Sequence, residues 1–442
     1  MSQTNPQPPK KSWEDQEVTR RDMAIIVGAV VVALVLVSGV LLILLNPPRG
    51  TEPAAERPAE SATGVAVAPQ ATPAAAVEAA APVAATATPD DGFNPADYPA
   101  LAVLPPVSAP ADNPITDEKV ELGKLLYFDP RFSGSGSISC NSCHPAGDGT
   151  WAVGSPMSFG YPGTTHWRKS QTLYNVAYYT KLNWDGSATS IERQNDGAWQ
   201  GTIAGNVDVA MVEERLAQVP EYVARFKRVF GTDFPLYSDA LKAVATFQRT
   251  LNSRNVPFDR YLQGETNAIS AEAKRGYELF TGKARCIACH NGPLLSDNSF
   301  HNTGVPTPAE WATNPLRQIT VRWQFWSRGA NQETYNTAKN DHGLALVTGN
   351  PDDLGKFRTP SLREVCYHPP YMHNGELATL EDVVAFYNQG GGNGIGQRDP
   401  LIQPLNLSAE EQRDLVAFLQ SLCGDKIIIQ APQLPAYGVI QP

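Results

Sequence analysis

Three hydrophobic patterns follow one another along the chain. The first is an unbroken apolar run without a charge, Met23 to Leu45. It is long enough to cross the roughly 30 Å hydrocarbon core of a bilayer as one helix. Lys10, Lys11, Arg20 and Arg21 precede it and a Pro-containing, acidic stretch follows. The positive-inside bias then places residues 1–22 in the cytoplasm and everything after Leu45 outside it, making 23–45 a transmembrane anchor. The run exceeds the apolar core of a cleaved signal peptide, and no small-x-small site follows at once. The residues around Arg20-Arg21 do not suit twin-arginine export. The second pattern is a lack of large side chains: residues 46–97 are mostly Ala, Pro, Thr, Glu and Val. Such a segment cannot bury enough surface to offset its ordering entropy, so it reads as a disordered, semi-extended linker.

The third pattern is helical periodicity. Thr116 is a predicted cap for a helix over 117–128, with Val120, Leu122, Gly123, Leu125 and Leu126 inside it; Ser270 caps another over 271–280, with Gly276 and Leu279. These two stretches make a weak internal repeat. A helix over 240–251 closes the first half. Ser408-Ala409-Glu410-Glu411 is a capping box that opens a last helix carrying Leu415, Val416, Phe418, Leu419 and Leu422, with Gly424 as its stop. Long loops rich in Gly and Pro separate the helices, and alternating strand patterns are few. The fold class is therefore mostly α: two helical domains, 98–265 and 266–427, and a C-terminal tail 428–442.

Composition supports that division. Of 442 residues, about 345 remain after the first 95 or so, enough for two domains with sizeable cores. With 35 Lys and Arg against 45 Asp and Glu, the net charge is -10, which sets aside nucleic acid as a partner. An acidic surface suits a basic partner such as a small cationic redox protein.

Chemistry enters with Cys140-Asn141-Ser142-Cys143-His144 and Cys286-Ile287-Ala288-Cys289-His290, both C-x-x-C-H. Two thiols at that spacing reach the two vinyl groups of one porphyrin edge, and the adjacent His becomes an axial iron ligand. The pattern implies two covalently bound haem c groups, with Cys140, Cys143, Cys286 and Cys289 as attachment points and His144 and His290 as metal ligands. A zinc ribbon pairs its knuckles closely in sequence, whereas here about 140 residues intervene, and a thioredoxin-like dithiol leaves both His unexplained. Cys366 and Cys423 are open between a disulfide and two small buried hydrophobes.

These residues resemble the bacterial dihaem cytochrome c peroxidase and MauG family over about residues 98 to 425. The resemblance is carried by Leu122-Gly123-Lys124, Phe128-Asp129-Pro130-Arg131-Phe132-Ser133, Asn183-Trp184-Asp185-Gly186, Phe357-Arg358-Thr359-Pro360-Ser361-Leu362-Arg363 and Pro370-Tyr371-Met372-His373-Asn374-Gly375. It implies two all-α, cytochrome c-like haem domains, His144 serving the peroxide-facing haem and His290 the electron-transfer haem. The second ligand of the latter is a Met in the peroxidase branch and a Tyr in the MauG branch. Counting along the helix 380–387 gives Tyr387, with Met372 as rival and a half-buried helix aromatic as the plain alternative. A phenolate favours higher iron oxidation states, a thioether the ferrous form. Trp184 matches the family's aromatic between the haems, and Gln194 a distal-pocket glutamine.

Two departures stand out. Where the family has its acid–base Glu, ten residues after the distal Gln, this chain has Ala204. His166 is the leading replacement, as base or exchangeable ligand, with Asp196 and Asp208 as weaker candidates. The family also holds a calcium between its domains with an Asn where this chain has Lys169, which makes calcium doubtful. The expected function is a membrane-anchored, extracytoplasmic dihaem oxidoreductase that reduces hydrogen peroxide, or uses it to oxidise a partner, with electrons from a small redox protein or another external donor. The rivals are a dihaem electron-transfer cytochrome without enzymatic activity and an enzyme of the same architecture that oxidises an organic or sulfur substrate.

Overall fold

The computed structural model describes residues 93–438. The expected cytoplasmic segment 1–22, the anchor 23–45 and all but the last five residues of the linker 46–97 lie outside the described residues. Among the described residues no helix is long and apolar enough to cross a membrane.

In chain order the helices are α1 (Asp117–Phe128), α2 (Cys140–Cys143), α3 (Ile191–Gln200), α4 (Val209–Ala217), α5 (Pro220–Phe230), α6 (Tyr237–Gln248), α7 (Pro257–Leu262), α8 (Ala271–Thr281), α9 (Pro315–Trp326), α10 (Gln332–Thr337), α11 (Ala345–Thr348), α12 (Leu380–Asn388) and α13 (Ala409–Gln420). The strands described are a two-residue antiparallel pair, β1 (Phe300–His301) against β2 (Phe357–Arg358), with Phe300 opposite Arg358. The fold is mostly helical, as expected. Thr116, Ser270 and Ser408 each accept a backbone N–H of their helix through the side chain, so the predicted starts of α1, α8 and α13 hold. The closing helix of the first half runs 237–248 rather than 240–251. It stops short because Thr250 and Leu251 leave the helix, and the Leu251 carbonyl accepts the Asn175 N–H at 2.8 Å.

The weak internal repeat has a structural meaning: each half is built on one tight helix pair. In the first, α1 crosses α6 at Gly123, where a Cβ would collide with the Ala243 carbonyl; in the second, α8 crosses α13 at Gly276, where a Cβ would collide with the Asp414 carbonyl. Around the first pair Leu122, Leu126, Tyr127, Phe132, Trp151, Tyr222, Phe226 and Phe247 form one apolar cluster. Around the second, Phe258, Phe280, Val384, Leu415, Phe418 and Leu422 form another. Arg275, on α8, adds a two-pronged ion pair to Asp414 on α13, both bonds at 2.7 Å.

The two chain ends pack on the halves far from them in sequence. Residues 93–102, expected to be linker and first domain, pack on the second cluster: Phe93 and Tyr98 stack with centroids 5.6 Å apart, and Leu101 is buried there. Ile427, at the expected end of the second domain, and the expected tail 428–438 after it lie on the first half. The buried Trp151 indole N–H needs an acceptor and finds the Ile427 carbonyl at 2.8 Å, and Gly438 N–H reaches the Gln218 carbonyl at 2.7 Å. Each end thus crosses to the opposite half. The buried Arg363 secures the first crossing, donating to Ala102 O at 2.8 Å, Pro293 O at 2.6 Å and the Asp259 carboxylate.

Cys366 and Cys423 are joined as a disulfide, which resolves the open alternative. The bridge spans 57 residues, and the chain-entropy account of such a loop gives about 4 kcal/mol. A segment not anticipated from periodicity, from Ala309 to Thr348, carries α9 to α11 and a third apolar cluster of Trp167, Trp311, Val321, Phe325 and Ala338.

Gly276→Ala and Gly123→Ala are each expected to lower stability by about 1–3 kcal/mol, because a methyl group must be forced between two helix backbones. Thermal unfolding followed by circular dichroism measures this, and an unchanged melting temperature in both variants would show that the crossings are looser than described.

Candidate functional site

The two C-x-x-C-H motifs are folded alike. The first forms the single turn α2, with Ser139 N–H donating to Ser142 Oγ at 3.0 Å; the second forms a 3₁₀ turn over Cys286–Ala288. In both, the His backbone N–H returns to the first Cys carbonyl, at 2.9 Å for His144 and 2.8 Å for His290. In both, Nδ1 faces a backbone carbonyl at 3.1 Å, Trp151 O for His144 and Leu295 O for His290. A proton held on Nδ1 leaves the Nε2 lone pair for a metal. Burial lowers the pKa of His144 to about 4, and burial likewise moves that of His290 below the usual imidazole value. Neither motif pairs its two cysteines as a disulfide, so all four sulfurs suit thioether attachment.

Both motifs open onto one cavity of about 1070 Å³. That is at or above the ~300–1,000 Å³ range of a pocket for a single small ligand. Two rigid macrocycles fit the donor set: a thiol pair and a tautomer-fixed imidazole at each end, with largely apolar walls between.

The leading site residues expected from the sequence line this cavity: His166, Trp184, Gln194, Tyr387, the four thiols and both motif His. Trp184 is locked by its indole N–H to Lys169 O at 2.8 Å, and its own carbonyl accepts the Arg358 N–H at 2.8 Å. Gln194, on α3, donates to Asn183 Oδ1 at 3.4 Å. The Tyr387 phenol, on α12, is buried within electrostatic reach of Cys289 and Cys286, with Thr303 as its hydrogen-bond partner; burial raises its pKa first, and the two thiols add to the rise. Its rival Met372 also lines the cavity, but from the loop whose His373 carbonyl accepts the Lys169 N–H at 2.7 Å. Tyr387 is therefore the residue that faces the second motif.

His166 and Ala204 sit on two segments that are packed together. Residues 158–166 form a small hairpin, with His166 N–H on Ser158 O at 2.9 Å and Phe159 bridged to Thr165. The hairpin is clamped to the turn that carries Ala204: Tyr161 N–H donates to Ile203 O at 3.2 Å, Thr164 Oγ1 to the same oxygen at 3.0 Å, and Gly160 is pressed so close that a Cβ would collide with it. Burial lowers the His166 pKa to about 4, with a smaller contribution from His144. Asp196 lines the cavity as well, its carboxylate accepting from Gln200 Nε2 at 2.5 Å. Asp208 does not: it is exposed and caps α4 by accepting the Met211 N–H at 2.9 Å.

Other features were not legible in the sequence. Arg168 is buried between Asp341, at 2.5 and 2.8 Å, and Asp185, at 2.7 Å. Burial alone would lower its pKa; the two carboxylates outweigh that and raise it. Arg168 and Asp185 sit in segments already singled out, but nothing marks Asp341, 173 residues away. His301 lies between Asp297 at 2.9 Å and Asp399 at 2.6 Å, beside Cys289. Burial disfavours its charge, yet the carboxylates hold its pKa well above the usual imidazole range. Lys169 is 4% exposed and donates to Val153 O. An ammonium has no lone pair to offer a cation, so a calcium ligated at this position does not fit the residues present.

A model of the family described as di-haem cytochrome c peroxidase matches residues 117–267. The cytochrome-c peroxidase IdrP1 of Denitromonas iodatirespirans is 53% identical over 350 residues, covering 78% of this chain and 92% of its own. The methylamine utilization protein MauG of Methylorubrum extorquens is 38% identical over 334 residues, covering 74% and 85%. Among solved structures, a MauG-like protein associated with microbial copper homeostasis superposes with a TM-score of 0.62 at 30% identity, covering 74% of this chain and 95% of that one.

Replacing Cys286 and Cys289 by Ala is expected to leave one covalent haem per chain instead of two, counted from the pyridine haemochrome absorbance of the denatured protein. An unchanged count would show that the second motif attaches none.

Proposed function

The chain belongs to the di-haem cytochrome c peroxidase and MauG family and is a peroxidase-type dihaem oxidoreductase; from that premise we propose that it reduces hydrogen peroxide with His166 in place of the family's acid–base Glu. The observation that carries this is the clamp of the His166 hairpin onto Ile203, next to Ala204.

Two haem c groups, held by Cys140, Cys143 and His144 and by Cys286, Cys289 and His290, supply the redox-active iron. Peroxide reduction takes two electrons and two protons per molecule and yields two waters. His166 is neutral above about pH 4, so it accepts a proton from one peroxide oxygen at its cavity-facing ring nitrogen and returns it to the other. Gln194 orients the bound molecule through its amide. Trp184, fixed at both its indole N–H and its backbone carbonyl, stands in the wall between the two motifs as the stepping stone for electrons. Tyr387, near Cys286 and Cys289, would supply the second ligand on the His290 side. An external donor, a small basic redox protein attracted by the net charge of -10, refills that side. The Met23–Leu45 run anchors the chain in the cell membrane as a single span, and the Pro/Ala-rich linker holds the haem domains on the periplasmic face. The naming of relatives at about half identity as cytochrome-c peroxidases supports this reading over that of an electron carrier without catalysis.

His166→Ala is expected to lower peroxide turnover by about 10²–10⁴ while both haem bands persist. In the unaltered protein, turnover falls as pH drops through about 4, where His166 gains its proton, and is level above it. Stopped-flow reduction of peroxide with a reduced cytochrome donor measures both, and a fall produced by Asp196→Asn instead would move the base to Asp196. Tyr387→Met is expected to raise the midpoint potential of the His290 haem in a spectroelectrochemical titration, since a thioether favours ferrous iron. A shift seen with Met372→Leu but not with Tyr387→Met would make Met372 the ligand.

A further inference from the structure

Lys169 occupies an unusual position for a lysine. It is buried, and its three polar groups tie down three different segments. The backbone N–H holds the 371–377 loop through His373 O at 2.7 Å, the backbone carbonyl holds the Trp184 indole at 2.8 Å, and Nζ donates to Val153 O beside the first haem motif. Its neighbour Arg168 has two carboxylates; Lys169 has none among the described residues, and burial is the one influence on its pKa, which it lowers to about 8. The ammonium is thus short of acceptors, with one carbonyl for three protons.

A matching deficit lies across the cavity wall. His368 Nε2 is buried and has no hydrogen-bond partner. Burial, and then the charge of Lys169, lower the His368 pKa to about 4, so the ring is neutral and its free nitrogen is an acceptor near a donor that lacks one. Both side chains line the cavity that joins the two motifs, and the same charge is felt at His144. An unpaired buried charge is costly to keep, so its retention at a point where three segments meet implies a use.

We propose that the Lys169 ammonium, beside the neutral ring of His368, is a built-in cation that holds the junction between the two haem sites, so that this protein neither needs nor binds calcium there. Lys169 is a positioning residue that also sets the electrostatic potential at the His144 haem. The inference rests on the reading of both motifs as haem sites.

The test uses the purified two-haem protein. Dialysis against EGTA, followed by calcium chloride, is expected to leave the optical spectrum and both midpoint potentials unchanged; a chelator-induced change that calcium reverses overturns the proposal. Lys169→Met, which keeps length and removes charge, is expected to lower the midpoint potential of the His144 haem, and Lys169→Arg to restore it. A purely structural lysine would move the melting temperature but not the potential, and that result overturns the proposal too. Should Lys169→Met fail to load haem, His368→Leu reads the same junction: it is expected to shift the His144 haem potential, and an unshifted potential removes His368 from the assignment and overturns it. Chains that load no haem at all in unaltered form would overturn the haem reading itself, an outcome distinct from a two-haem protein that responds to calcium.

Discussion

The constraint on which the rest depends is the cavity between the two C-x-x-C-H turns. It measures about 1070 Å³ and its walls are largely apolar, so flat apolar macrocycles attached at its thiols would bury surface that water covers poorly. The helix pairs enclose the space from outside, while the loops between them, carrying the thiols and both His, complete their packing only against what fills it.

That arrangement explains why so much of the polar bonding sits in loops. The segment 357–363 is a seam. Arg358 N–H and Nε reach the carbonyls of Trp184 and Asn183, Ser361 Oγ reaches Leu294 O, and Arg363 gathers Pro293, Asp259 and Ala102. Each of these groups would be an unsatisfied buried donor if the loops moved apart, a penalty of about 1–3 kcal/mol apiece. The loops are held by the accumulated cost of separating them, in place of the regular ladders that helices or sheets provide. The crossing of the two chain ends, 93–102 onto the second cluster and 427–438 onto the first, works in the same direction.

What was legible in the sequence follows from this. Helix starts were readable because a cap is a local event: Thr116, Ser270 and Ser408 satisfy N–H groups two or three residues on. The motif turns were readable because covalent attachment fixes their spacing. Gly123 and Gly276 appeared only as a faint repeat, since the reason for each, a facing carbonyl at Ala243 or Asp414, is more than a hundred residues away. The same distance hid Asp341 from Arg168 and His368 from Lys169. The crossing of the ends left no local signal, because Pro-rich, weakly periodic segments read as linkers while their few apolar side chains, Tyr98, Leu101, Ile427 and Leu434, find their contacts on the far half. Ala204 was visible in the sequence, but the contact that seats the His166 hairpin on Ile203 is one that no local pattern announces.

The contrast between Arg168 and Lys169 bears on how the two sites are coupled. Adjacent in sequence and both buried, they receive opposite treatment. Arg168 is neutralised by Asp185 and Asp341, so its charge is spent locally and it serves to brace the wall. Lys169 keeps an uncompensated charge within reach of His144 and His368. At low effective dielectric such a charge acts over several ångströms with little screening. Its backbone carbonyl is also the acceptor that fixes the Trp184 indole. One residue therefore sets the field at the first haem site through its side chain and the geometry of the aromatic wall through its backbone. A side-chain substitution at Lys169 separates the two effects, because the bond to Trp184 belongs to an atom that every substitution retains.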